Sequence, residues 1–240
     1  MKDRIAPPKY ATTPSGGEAP ATPLATYLLL SGEKEFMPAR FIAIAGNIGA
    51  GKSTMVGFLS RRFGLLPLYE PVDDNPYIAD FYEDMERWAF NSQVFYLSRK
   101  FALHLEAQKS DRRVILDRSI YEDAEIFVEN LRRRRGISKR DYGTYMELYR
   151  TIRQELQPPD LLIYLRCSVR GVRRRIKNRG RASEMAIPLS YIQRLHAQYE
   201  AWYESYDLGP KAIIETEKLD YLRDIIHRYD LIETIESLLA

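Results

Sequence analysis

The chain has 240 residues, enough for one domain with a full core. With 36 Lys and Arg against 33 Asp and Glu the net charge is +3, too small to argue by itself for a nucleic-acid partner. One cysteine, Cys167, excludes a disulfide framework and points to a reducing compartment such as the cytoplasm; no apolar run approaches the ~18 residues of a membrane span.

Residues 1–38 stand apart in composition. Pro7, Pro8, Pro14, Pro20 and Pro23 lie among Ala, Thr and Gly, which cannot bury enough apolar surface to offset chain entropy. The stretch reads as a disordered N-terminal extension, with Met37 a candidate natural start. Leu28-Leu29-Leu30 is short for a signal-peptide core, and Glu18, Glu33 and Glu35 argue against a mitochondrial leader. The folded domain is expected over residues 39–240.

Arg40 to Ala45 reads as a buried strand, and Ser53 to Arg62 as a helix. Between them, Gly46-Asn47-Ile48-Gly49-Ala50-Gly51-Lys52-Ser53-Thr54 spells the phosphate-binding loop G-x-x-x-x-G-K-S. Glycines let backbone N–H groups wrap a polyphosphate, and the helix N-terminus adds its partial positive charge. Lys52 is placed to bridge β- and γ-phosphates, and Ser53 to offer its hydroxyl to Mg²⁺. The site binds a nucleotide.

Leu65 to Tyr69 is a short strand ending at Glu70-Pro71-Val72, a carboxylate where open α/β sheets place their chemistry. Asn75-Pro76 opens a helical region, and Met85 to Gln108 forms a long helix carrying Gln93, Arg99 and Lys100. Arg113 to Leu116 is a third strand, ending in Asp117-Arg118-Ser119. An acid there is the usual second magnesium contact of phosphate-loop enzymes. Helices follow over Ile120–Leu131, with Asp123 on it, and over Ser138–Leu156. The run Arg132 to Arg135 reads as a solvated helix end, since it lacks interleaved aromatics.

Asp160 to Leu165 is a fourth strand. The segment Arg170 to Arg181, with Arg175, Arg179 and Arg181, reads as a solvated helix, a nucleic-acid patch or a lid on phosphates. The charge that grows on a transferring phosphoryl group favours the lid. A helix from Pro188 to Tyr206, a fifth strand over Ala212–Glu215 and a helix from Tyr221 to Leu239 close the chain. Alternating strands and helices argue an α/β fold with a parallel sheet covered on both faces. No N-K-x-D base-reading motif appears, which disfavours switch GTPases and leaves a small-molecule kinase.

From Ala39 onward these residues resemble the deoxyribonucleoside kinases. The resemblance rests on Gly46–Thr54, Glu70-Pro71-Val72, Tyr82 before Trp88, Gln93, and Leu97-Ser98-Arg99. It continues through Asp117-Arg118-Ser119-x-Tyr121-x-Asp123, Arg175-x-x-x-Arg179-Gly180-Arg181, Glu184 and Ile187-Pro188-Leu189. It implies a P-loop kinase fold, a five-stranded parallel sheet flanked by helices with an arginine-rich lid, dimerising through a helical face. It implies ATP with Mg²⁺ as donor and a deoxynucleoside 5′-hydroxyl as acceptor.

In the resembling family Glu70 takes the hydroxyl proton and Arg118 orients both groups. Tyr82 and Glu184 hold the 3′-hydroxyl, Gln93 pairs with the base, and Arg175, Arg179 and Arg181 form the lid. An Asp at position 123, paired with a cation from the long helix, goes with purine or deoxycytidine substrates rather than thymidine. Many family members place one more residue between the Gln and the Leu-Ser-Arg, so either Arg99 or its neighbour Lys100 is that cation.

Two alternatives remain. A nucleoside monophosphate kinase of the thymidylate type shares the loop, the Asp-Arg turn and an arginine lid, but Glu70 would repel its anionic acceptor. A non-catalytic, kinase-like structural subunit would tolerate loss of Lys52, Glu70 or Arg118, and all three are present.

Overall fold

The computed structural model describes residues 39–69, 74–185 and 187–239. The expected extension over 1–38 lies outside the described residues, and so do Glu70, Pro71 and Val72.

The first strand, β1 (Phe41–Ala45), is apolar at every position and buried at every position, as a strand covered on both faces must be. It feeds the phosphate loop and then α1 (Lys52–Phe63). β2 (Leu66–Leu68) is followed by α2 (Ile78–Glu83) and the 25-residue α3 (Met85–Lys109). Asp84 starts α3 by accepting the Arg87 N–H, which satisfies one of the free amides of the first turn.

β3 (Val114–Asp117) runs into α4 (Ile120–Glu122), a π-helical segment (Asp123–Val128) and α5 (Glu129–Arg133). The sequence pattern predicts a continuous α-helix here; the chain instead widens by one residue per turn, beginning at Asp123. Such a segment is a feature of functional sites more often than of plain helices. Next come α6 (Lys139–Arg153), β4 (Leu161–Arg166), α7 (Val169–Arg179), α8 (Ala182–Met185), α9 (Leu189–Ser205), β5 (Lys211–Glu215) and α10 (Ile225–Leu239).

The five strands are parallel in the order β2-β3-β1-β4-β5. The chain leaves β1 toward one neighbour and returns on the other side, so the carboxyl end of β1 is the crevice where such sheets bind ligands. Register sets the chemistry: Ile44 lies beside Asp117 on one side and Ile163 on the other. The end of β3 therefore delivers Asp117 and Arg118 next to the phosphate loop.

The core over the sheet is aromatic on the α9 side. Tyr199 stacks on Tyr164 of β4 with ring centroids 5.8 Å apart, and Tyr203 packs beside it. A well-packed aromatic pair of this kind adds about 0.5–1.5 kcal/mol beyond its area burial. It fixes α9, and with it Tyr199, against the sheet.

Candidate active site

Gly46 has φ +152°, and a Cβ there would come within 3.0 Å of the Leu165 carbonyl. Gly49 has φ +76°, and a Cβ would meet Ile176 of α7 at 2.8 Å. Only glycine fits both the turn and the close approach of α7. Lys52 folds back, donating through Nζ to the carbonyls of Gly46 at 2.9 Å and Asn47 at 3.1 Å.

Asn47 spends its side chain on structure: Nδ2 donates to the Ile192 carbonyl of α9 and Oδ1 accepts the Ile48 N–H. Its side chain is therefore committed within the protein, which leaves only its backbone for a ligand. Ile48 is half-buried along the cleft, Ala50 is buried, and Thr54 follows Ser53 in the first turn of α1.

Ser53 donates to Asp117 Oδ2 at 2.5 Å. A hydroxyl and a carboxylate side by side at a helix N-terminus are hard oxygen donors of the kind magnesium takes. Among the described residues no three His, Cys, Asp or Glu side chains gather as a cage.

Two clefts meet at the phosphate loop. One, of about 860 Å³ including space open to solvent, is lined by Lys52, Ser53, Tyr82, Gln93, Arg118, Asp123, Arg179, Arg181 and Glu184, among others. The second, of about 820 Å³, lies beyond Gly49 and Gly51 and is lined by Arg175, Thr216 and the Leu219–Leu222 turn. Gly49, Gly51, Thr54 and Arg179 border both clefts.

Arg118 is the strained residue of the site. Its φ is +71°, a left-handed conformation costing a non-glycine residue about 1–3 kcal/mol. It is held there by Tyr199, by Glu122 at 3.5 Å, and by the Phe127 ring beneath its guanidinium at 4.6 Å. Tyr191 borders the same cleft, and burial pushes its phenol well above the usual range, so it stays a neutral donor.

The end of the cleft away from the phosphate loop is built from α3 and the π-helical segment. Gln93 is buried, and among the described residues its Oε1 has no hydrogen-bond partner, so the amide keeps an acceptor for a ligand. Asp123 is buried and ion-paired to Lys100 at 2.5 Å. Arg99, taken from the family pattern as a substrate-binding residue, is not in the cleft. It lies on the solvent face of α3, over the Phe95 ring at 5.4 Å. Lys100 stands seven residues after Gln93, close to two full turns, which is why it shares the inner face and Arg99 does not.

The basic segment divides its work. Arg175 donates to the Ala50 carbonyl at 2.6 Å and to Thr216, clamping α7 between the phosphate loop and the end of β5. Arg179 pairs with Glu184, and Arg181 lies 3.8 Å from the same carboxylate. The arginine run at the end of α5 is partly neutralised where it stands, with Arg132 and Arg133 both on Glu129.

Two site residues lie outside the sequence reading. Glu122 is visible in sequence only as the last member of a Ser-x-x-Glu capping box. Tyr199 carries no sequence signal, being one tyrosine among seventeen.

The family model for deoxynucleoside kinases matches residues 42–240. The chain belongs to the deoxynucleoside kinase family. It is 34% identical over 200 residues to a deoxyadenosine/deoxycytidine kinase of Bacillus subtilis, covering 82% of this chain and 92% of that protein. It is 39% identical over 203 residues to a deoxyguanosine kinase of Lactobacillus acidophilus, covering 81% and 88%. Among solved structures, deoxyadenosine kinase from M. mycoides with bound dATP superposes with a TM-score of 0.72 at 31% identity, covering 83% of this chain and 99% of that one. This deoxynucleoside kinase is therefore an enzyme that phosphorylates a nucleoside 5′-hydroxyl on the P-loop kinase fold. The monophosphate-kinase and non-catalytic alternatives give way to it. No helix among the described residues is long and apolar enough to cross a membrane.

Proposed function

We propose that this deoxynucleoside kinase transfers the γ-phosphoryl group of ATP to a purine deoxynucleoside or deoxycytidine in preference to thymidine, as a salvage enzyme of the cytoplasm. The carrying observation is the phosphate loop as common wall of two clefts. A triphosphate wrapped by that loop, with its base in the Arg175–Thr216 cleft, presents its terminal phosphate to the cleft of Arg118, Gln93 and Asp123. Two ligands meeting end to end across a phosphate loop is the geometry of in-line transfer.

In this reading Glu70 removes the 5′-hydroxyl proton as that oxygen bonds to the γ-phosphorus and ADP departs. Arg118 orients the hydroxyl, and Lys52 turns from the loop carbonyls to the β- and γ-phosphates. Ser53 and Asp117 would hold the magnesium ion, which supplies positive charge for the phosphate oxygens. Tyr82 and Glu184 hold the 3′-hydroxyl. Arg179 and Arg181 act as the lid, with Arg175 as its fixed hinge point. Gln93 and the Asp123–Lys100 pair read the base.

A second copy of the chain is the proposed partner, on the groove between α5 and α9. There Asn130 Nδ2 and both amide atoms of Gln198 make no hydrogen bond among the described residues, beside the large apolar Trp202. A reducing location accords with the free, buried Cys167. The catalytic unit is residues 39–240, with residues 1–38 dispensable. A panel of the four natural deoxynucleosides with ATP and Mg²⁺, run beside sedimentation of the enzyme, tests substrate preference and dimer together. Thymidine as the best substrate overturns the base assignment, and a monomer at assay concentration overturns the partner.

A further inference from the structure

Glu122 has no solvent exposure, yet it carries a carboxylate in the middle of the site. Its Oε2 does what a capping box requires, accepting from the Ser119 N–H at 2.7 Å and the Ser119 hydroxyl at 3.1 Å. Its Oε1 does something a cap does not need. That oxygen accepts from the Tyr199 hydroxyl at 2.8 Å and the Gly46 N–H at 3.3 Å, and lies 3.5 Å from Arg118 Nη1. Tyr199 in turn contacts the same Arg118 nitrogen. One sealed carboxylate thus ties the first residue of the phosphate loop to the strained arginine of the acceptor cleft, with α9 as third anchor.

We propose that Glu122 is a positioning residue for phosphoryl transfer, holding Arg118 in register with the phosphate loop. The donor phosphate is carried by the loop that begins at Gly46, and the acceptor hydroxyl is oriented by Arg118. Transfer needs the two within a fraction of an ångström of their reactive arrangement. A buried carboxylate is retained only where charged or polar donors satisfy it, and here those donors come from both halves of the site. The Arg118 guanidinium is buried and needs a counter-charge, and its backbone at φ +71° needs surrounding contacts to hold it. The inference rests on the proposed role of Arg118, and goes beyond it by naming what sets that role.

The test is E122Q and Y199F, alone and combined, in the full-length enzyme, with kcat and KM measured for deoxynucleoside and ATP well below the melting temperature. Gln keeps the volume and one acceptor oxygen, but turns an amide N–H₂ toward donors. E122Q is expected to lose roughly 10- to 100-fold in kcat with both KM values little changed. Y199F is expected to lose less, and the double variant no more than E122Q, because both act through one arginine. A wild-type kcat in E122Q, a loss confined to KM, or an additive double variant overturns the proposal. Should E122Q fail to fold, Y199F decides alone: lowered kcat at constant KM supports the proposal and unchanged kcat overturns it. R118A separates the two readings. Full activity in R118A removes the role of Arg118 itself, whereas a collapsed R118A beside an unaffected E122Q removes only that of Glu122.

Discussion

Lys100 Nζ and Asp123 Oδ1 meet at 2.5 Å with almost no solvent access to either side chain. Asp123 borders the cleft while Lys100 does not line it; in the proposed function the pair is what reads the base and disfavours a thymine 5-methyl. Asp123→Ala is expected to leave a buried ammonium without this partner, at a cost of about 3–5 kcal/mol in stability. It should also lower activity on the preferred base while raising relative thymidine use. Thermal melts and a substrate panel on the variant check both halves.

Lys52→Ala is expected to abolish measurable transfer while the protein still folds. The bonds Lys52 gives to the Gly46 and Asn47 carbonyls, from a charged donor, are worth about 1.5–3 kcal/mol each, within the stability of a typical domain, whereas the charge lost from the transferring phosphoryl group costs about 10²-fold or more in kcat. Near-normal turnover with a native melting curve would remove Lys52 from the mechanism.

Glu70→Gln keeps shape and loses basicity. As general base, Glu70 is expected to contribute ~10²–10⁴-fold, read as a fall in kcat with KM changed far less. A raised KM at constant kcat would make Glu70 a binding residue only.

His104 supplies a pH test of stability. Its Nε2 donates to the Gln157 carbonyl at 2.7 Å, Nδ1 has no partner among the described residues, and the rings of Phe41 and Tyr121 face it edge-on. Burial lowers its pKa below the ordinary 6.5, with the Gln157 contact opposing. The folded state therefore keeps a neutral imidazole where the unfolded chain takes up a proton. Stability from this group is full above pH 6.5 and is lost as pH falls through 6.5 toward the folded value, by at most about 1.4 kcal/mol per unit. His104→Gln should flatten that part of a denaturation series run from pH 8 to 5. An unchanged slope would assign the pH dependence elsewhere.

Deleting residues 1–36 is expected to leave melting temperature and turnover unchanged. β1 starts at Phe41, and the Ala39 carbonyl accepts from Arg113, so the deletion ends short of the first contacts of the sheet. Loss of activity on truncation would give the segment a role in the catalytic unit.

The phosphate loop, the acid and arginine ending β3, the arginines of α7 and the alternation of strands with helices were all legible in the sequence, because each depends on neighbours along the chain. Glycine spacing dictates a loop, an apolar run followed by an acid dictates a strand end, and helical period dictates a face. That same period placed Lys100 near Gln93 as clearly as family pattern favoured Arg99. Contacts between distant segments were decided only in three dimensions. Which of Arg99 and Lys100 pairs with Asp123 depends on the π-helical turn that carries Asp123, and no local rule foretells that turn. For Glu122 the sequence offers only a Ser-x-x-Glu spacing, the Ser119 side of its contacts. Its second oxygen faces Gly46, 76 residues away, and Tyr199, 77 residues away, which only the packing of α9 onto the parallel sheet brings together.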